Sequence, residues 1–169
     1  MANKEQKEVS LQELLESRDN RQARQRELIR KYNKTLVCLT IVMPGAVKRN
    51  TFSVFLFQKA INIIKEKLGE DIVIFYEYDL KTGLEAIFVV RTDALETKRN
   101  MCEIEDRHPL GRLFDIDVIG TDGTPLSRQN PRKCLLCDNN ARICMRSGWH
   151  TQSDIQNKIK EMIDNACRF

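Results

Sequence analysis

The chain has no run of about 18 apolar residues, so no membrane-spanning helix is expected. Its first residues, Met1-Ala-Asn-Lys-Glu-Gln-Lys-Glu, lack the apolar core of a signal peptide, and a cytoplasmic location is expected. No internal repeat and no low-complexity linker is found, which excludes solenoid and propeller architectures. Charge of one sign is also missing: 28 basic against 24 acidic residues leave +4, too mild to imply nucleic acid by itself. There is no Gly-x-x-x-x-Gly-Lys phosphate loop and no aromatic-rich RNA-binding sheet motif. Only two histidines occur, and neither forms an evident Cys-His nucleophile dyad. What remains, 41% hydrophobic and 31% charged residues in 169, is the mix of one compact soluble domain, two at most.

Hydrophobic spacing supplies the elements. Residues 1–9 read as a flexible tail, and 10–169 as a single domain. Ser10-Leu-Gln-Glu13 is a capping box opening a helix to about Tyr32. Leu11, Leu14, Leu15, Leu28, Ile29 and Tyr32 share one face of it, interrupted by Arg18, Gln22 and Gln25. Such a face either bridges a gap or lines a polar cavity. A strand over 35–43, a helix over 51–68 closed by Gly69, and strands over 71–78 and 84–90 follow. A helix to about Asp106, a strand over 113–119 and a helix over 151–167 complete the order. Strand–helix–strand–strand–helix–strand is the ferredoxin-like, α+β arrangement of an antiparallel sheet carrying two helices on one face. The terminal helices and an irregular Cys- and Arg-rich segment, 121–150, pack around it.

Four segments carry chemistry. In His108-Pro-Leu-Gly-Arg-Leu-Phe-Asp-Ile-Asp-Val118, strand alternation puts Phe114, Ile116 and Val118 on the core face and Asp115 and Asp117 on the other. Carboxylates about 7 Å apart along a strand suit a hard cation such as Mg²⁺ carrying a polyphosphate; the plain alternative is an acidic edge meeting water. Arg112 and His108 stand beside them. In Pro44-Gly-Ala-Val-Lys-Arg-Asn-Thr51, Gly45 permits close backbone approach, and Lys48 and Arg49 sit at a helix N-terminus that favours anions. An ordinary turn with two surface cations fits equally. Arg18, Arg21, Arg24 and Gln25 follow helical spacing, and guanidinium forks match phosphate oxygens in pairs; a solvated helix face is the alternative. Finally, Cys134-Leu-Leu-Cys137, Cys144 and His150 hold the ligand inventory of a structural zinc site. Their last gaps, six and five residues, match no standard finger, and clustered reduced thiols are the alternative.

Taken in order, Leu14-Leu-x-x-Arg18-x-x-Arg21-x-x-Arg24-Gln25, Pro44-Gly45-x-x-Lys48, the His108–Val118 block, Pro125-Leu-Ser-Arg128, Arg132-Lys-Cys-Leu-Leu-Cys137, Cys144, Arg146 and His150 resemble a known family. It is that of the apo-citrate lyase phosphoribosyl-dephospho-CoA transferases, the holo-acyl-carrier-protein synthases of the citrate lyase system. The resemblance covers nearly the whole chain from about Leu11, and no additional synthase domain is seen, as a stand-alone form would have it. It implies a donor, 2′-(5″-triphosphoribosyl)-3′-dephospho-CoA, and an acceptor, a serine of the citrate lyase acyl-carrier (gamma) subunit. The serine attacks the α-phosphorus and pyrophosphate leaves. The expected roles are Mg²⁺ on Asp115 and Asp117, a base in either Asp or in His108, and phosphate contacts from Arg112, Lys48, Arg49, Arg18, Arg21, Arg24 and Arg128. Rival expectations are a nucleotidyltransferase with another acceptor and a zinc-dependent RNA-binding module.

Overall fold

The computed structural model describes residues 7–166. Residues 1–6 of the expected tail and Cys167 lie outside the described residues. Val9, at the end of that tail, is buried, and its N–H donates to the Ala46 carbonyl at 2.9 Å.

Four strands, β1 (Thr35–Ile41), β2 (Ile72–Leu80), β3 (Gly83–Val90) and β4 (Phe114–Ile119), form one sheet in the order β2-β3-β1-β4. Every neighbouring pair is antiparallel. With α1 (Leu11–Tyr32) ahead of β1, α2 (Thr51–Leu68) between β1 and β2, and α3 (Ala94–Arg107) between β3 and β4, this is the expected ferredoxin-like order. The capping box on α1 is formed as anticipated, Glu13 N–H reaching Ser10 Oγ and Ser10 N–H reaching Glu13.

Strand alternation sorts the apolar residues into two clusters. Val37, Leu39, Phe88, Val90, Phe114, Ile116 and Val118 face α2 and α3, together with Ile159 and Ile163 of α5 (Gln152–Ala166). Leu36, Cys38, Ile87, Val89 and Ile119 face the other way and are covered by Leu28, Ile29 and Tyr32 of α1. The sheet is therefore sandwiched between helices.

Two expectations are corrected. On α1 the inward stripe keeps Leu14, Gln25, Leu28, Ile29 and Tyr32, but its middle is Ser17, Arg21 and Arg24 in place of Arg18 and Gln22; Leu11 is 73% exposed and Leu15 is also exposed. The reason is polar anchoring at the N-terminal half: Ser17 Oγ meets Thr82 Oγ1 at 2.8 Å, and Lys81 Nζ donates to Glu13 at 2.7 Å. The segment 121–150 is not wholly irregular. It contains α4 (Ala141–Ser147), capped by Asn140, whose Oδ1 accepts from Arg142 N–H, and closed at Gly148 with φ 62°. That seven-residue helix buries only Cys144, so it has almost no apolar periodicity for a sequence reading to find.

Candidate active site

Asp115 and Asp117 lie on the α1 side of the sheet, as the alternation of β4 predicts. In register they oppose Thr40 and Cys38 of β1, and Thr40 opposes Glu85 of β3 on its other side. Thr40 Oγ1 donates to Asp115 Oδ2 at 3.4 Å. The Asp115 carboxyl has its pKa raised, first by withdrawal from bulk water and second by the negative charge of Asp117. Half of its side-chain surface (51%) is nonetheless open, as a group that meets a ligand requires.

β4 is an edge strand, and three side chains and one backbone N–H engage most of its outward main-chain groups. Ile116 N–H donates to Glu105 Oε1 at 2.8 Å, and Lys98 Nζ donates to the Ile116 carbonyl at 3.3 Å. An Arg132 Nη2–H donates to the Phe114 carbonyl at 2.8 Å and also to Glu105. The Leu126 N–H donates to the Val118 carbonyl at 2.8 Å. Arg132 Nη1 then stands 3.8 Å from Asp115 Oδ1, and Arg128 Nε stands 3.5 Å from Glu105 Oε2. Burial lowers the Arg132 pKa. For Arg128 burial works the same way, but hydrogen bonds to Asp106 and Cys102 outweigh it and the pKa is raised. Beside this edge opens a cleft of about 440 Å³ that collects Lys98, Glu105, Asp115, Asp117, Arg128, Arg132 and Arg142. Four cationic and three anionic side chains thus share one cavity, an arrangement suited to a polyphosphate with a divalent ion.

The other predicted residues divide. Arg21 and Arg24 both pair with Glu85, whose side chain is 4% exposed, at 2.8 and 2.6 Å. Gln25 donates to Cys38 Sγ at 3.3 Å, while Arg18 projects to solvent. Arg21 is close enough for its charge to lower the Asp115 pKa somewhat. Arg112 donates to the Lys133 carbonyl and lines an adjoining groove with Arg128, Arg132 and Cys134; burial, then the Arg128 charge, lowers its pKa.

The loop after β1 is not brought to the acids. Arg49 forks onto Asp79 of β2 at 2.5 and 2.9 Å, at the sheet edge opposite β4. Lys48 Nζ donates to the Met43 carbonyl at 2.7 Å, and burial lowers its pKa. Gly45, at φ 84°, lies against Gln152 of α5 rather than beside the cleft. His108 also stands elsewhere: its ring stacks on Phe114, which belongs to the core face, and its Nδ1 accepts from Leu110 N–H at 3.1 Å. Its pKa is lowered, mainly by burial and then by Lys59.

The sequence reading missed Lys98, Glu105, Arg132, Glu85 and Thr40 as site residues. A signal existed for the first two. Lys98 and Glu105 lie seven apart on α3, on the same stripe as buried Met101, and a charge on a buried stripe needs a partner.

Behind the cleft wall, the donor atoms of Cys134, Cys137, Cys144 and His150 all lie within 4.8 Å of one another. Cys137 Sγ is 3.5 Å from Cys144 Sγ and 3.4 Å from His150 Nε2. Hydrogen bonding, first from the Asn139 backbone and then from His150, lowers the Cys137 pKa to about 6, whereas burial pushes Cys144 up to about 12. These four residues could hold a metal ion.

Residues 9–166 match the family model described as apo-citrate lyase phosphoribosyl-dephospho-CoA transferase. A protein of that name from Escherichia coli O7:K1 is 34% identical over 165 residues, covering 94% of this chain and 90% of the relative. A Haemophilus influenzae relative, named Protein CitXG, is 38% identical over 164 residues and 93% of this chain. This chain spans only 35% of that relative's length. With a family match over almost its full length and a relative of comparable size, the chain belongs to the apo-citrate lyase phosphoribosyl-dephospho-CoA transferase family of enzymes.

Proposed function

We propose that the protein transfers the phosphoribosyl-dephospho-CoA group from 2′-(5″-triphosphoribosyl)-3′-dephospho-CoA to a serine of the acyl-carrier (gamma) subunit of apo-citrate lyase. The observation that carries this reading is the cleft in which Asp115 and Asp117 meet Lys98, Arg128, Arg132 and Arg142. In the reaction the serine oxygen bonds to the α-phosphorus, the bond from that phosphorus to the bridging oxygen breaks, and pyrophosphate departs with the electron pair. Such transfer needs positioning and charge neutralisation more than covalent help. Arg132 and Arg142 meet the phosphate oxygens, and Arg132 holds its geometry because Glu105 and the Phe114 carbonyl fix its fork. Asp115, beside Thr40 and Arg132, is placed to accept the serine hydroxyl proton.

Asp115 and Asp117 fit a Mg²⁺ ion chemically: both are hard oxygen donors on one face, and a cation would offset the withdrawal from water, and then the mutual repulsion, that raise the Asp115 pKa. When bound there, the ion supplies charge neutralisation for the polyphosphate. The Cys134, Cys137, Cys144 and His150 cluster is read as a structural Zn²⁺ site, supported by its three sulfurs and one imidazole.

Incubation with labelled donor and the apo carrier subunit tests the reading. One label per carrier on a serine, with one pyrophosphate released, is expected; an unlabelled carrier overturns it. Asp115→Ala and Asp117→Ala should each reduce labelling by about 10³-fold while circular dichroism is unchanged. Full activity in either variant removes the acidic pair from the mechanism.

A further inference from the structure

Residues 127–150 are tied to the rest of the fold by the ion pairs of Arg128 and Arg132 and by Leu135 against the main core, and bury little else. Among the described residues of this segment only Cys144 is buried. Ile143, Met145 and Trp149 are 54%, 77% and 60% exposed, so α4 does not stand on an apolar face. A segment with so little buried surface does not keep one conformation through the hydrophobic effect. Yet it supplies Arg128, Arg132 and Arg142 to the cleft, where positions must be kept.

The four donor atoms stand where they can fix it. Cys134 follows Arg132 by two residues, and Cys144 follows Arg142 by two. The Arg132 carbonyl accepts from Ala141 N–H at 2.9 Å, and Cys134 N–H donates to the Asn139 carbonyl at 2.6 Å, so the two Cys-bearing stretches are laced together. His150 adds the approach to α5, whose Ile159 and Ile163 are anchored in the main core. Tetrahedral zinc, with bonds of about 2.0–2.3 Å, places its ligand atoms roughly 3.5 Å apart. The contacts of 3.5 and 3.4 Å within the cluster meet that spacing. Leu136 N–H and Asn139 Nδ2–H point at the sulfurs of Cys134 and Cys137 at 3.5 and 3.6 Å, the outer hydrogen bonds that orient metal thiolates.

We infer that a Zn²⁺ ion on Cys134, Cys137, Cys144 and His150 is the staple that folds residues 127–150 and thereby sets Arg132 and Arg142 in the cleft. The ion takes no part in the chemistry. Its effect on the donor rests on the transferase reading; its effect on folding does not.

The test uses the full chain purified under reducing conditions. Elemental analysis should find one zinc per chain, and Co²⁺ exchanged into the site should give tetrahedral thiolate absorption bands. After removal of zinc by a high-affinity chelator and return to Mg²⁺ buffer, amides in 127–150 should lose hydrogen-exchange protection while β1–β4 keep theirs. Affinity for inorganic triphosphate should weaken at least tenfold and return when zinc is restored. His150→Ala should behave like the chelated protein, and His150→Cys, which keeps a fourth donor, should recover zinc and protection. Absence of zinc, another metal in its place, or removal that leaves protection and triphosphate affinity unchanged overturns the proposal. If His150→Ala fails to fold, chelation of the unaltered chain decides. Zinc-dependent protection without carrier labelling would instead separate a correct staple from a wrong transferase assignment.

Discussion

The apolar face and the outer edge of β4 follow different physical rules. Toward α2, Phe114, Ile116 and Val118 join a dry cluster with Phe88, Leu56 and Ile64, held by burial that needs no directional partner. Along its outer edge the same strand meets Glu105, Lys98 and Arg132, and its own Asp115 stands by Arg132, so that each contact has a partner and a direction. The apolar face tolerates small shifts, since dispersion is spread over many atoms. The polar edge does not, because Glu105 left without its guanidinium is a buried charge. One strand thus lets a robust core position a demanding site.

Truncation inside the dry cluster should have the largest effect. Phe88→Ala is expected to cost about 3–5 kcal/mol of global stability, read by urea unfolding. It should loosen both regions together; a loss confined to one would break the contrast. Removing one member of the polar edge comes next. Glu105→Leu leaves Arg128 and Arg132 without their buried anion and Ile116 N–H without its acceptor, so about 3 kcal/mol should be lost, with hydrogen exchange rising first around β4 and residues 127–142. A uniform rise would mean that the two regions unfold as one. Arg132→Lys keeps the charge but loses the fork and should raise the KM for the donor about tenfold, with stability reduced by roughly 1 kcal/mol.

The smallest effect lies at the start of α1. Hydrogen bonds from Lys81 and from Ser10 N–H hold the Glu13 carboxyl at about 2 against its usual 4.5. The stabilisation is present above pH 4.5 and is lost as pH falls toward 2, since the folded form binds its proton later than the unfolded form. Lys81→Met should flatten that part of the acid-unfolding profile slightly and leave the neutral-pH core untouched.

Local pattern explains what was legible. The Asp-x-Asp alternation of β4, the capping box at Ser10 and the βαββαβ order each depend on neighbours within a few residues, and each is seen in the structure. The cleft was only half legible because its members come from α3, β4 and the segment 127–142, and no local period links Lys98 to Arg132. Proximity in sequence also misled: His108 lies seven residues before Asp115, but the chain turns between them and the ring lands on the opposite side of the sheet. Arg49 was read by its place at a helix start, which says nothing about Asp79 waiting on β2.

The capped outer margin of β4 restricts how anything can approach. Its Ile116 N–H and the carbonyls of Phe114, Ile116 and Val118 are already engaged by Glu105, Arg132, Lys98 and Leu126, so a visiting segment would have to displace them to extend the sheet there. A visitor that leaves those bonds intact enters side chain first, from a turn or a helix tip, and is held by its own shape instead of by added ladder bonds. Under the transferase reading proposed above, that approach suits a protruding serine better than an extended peptide.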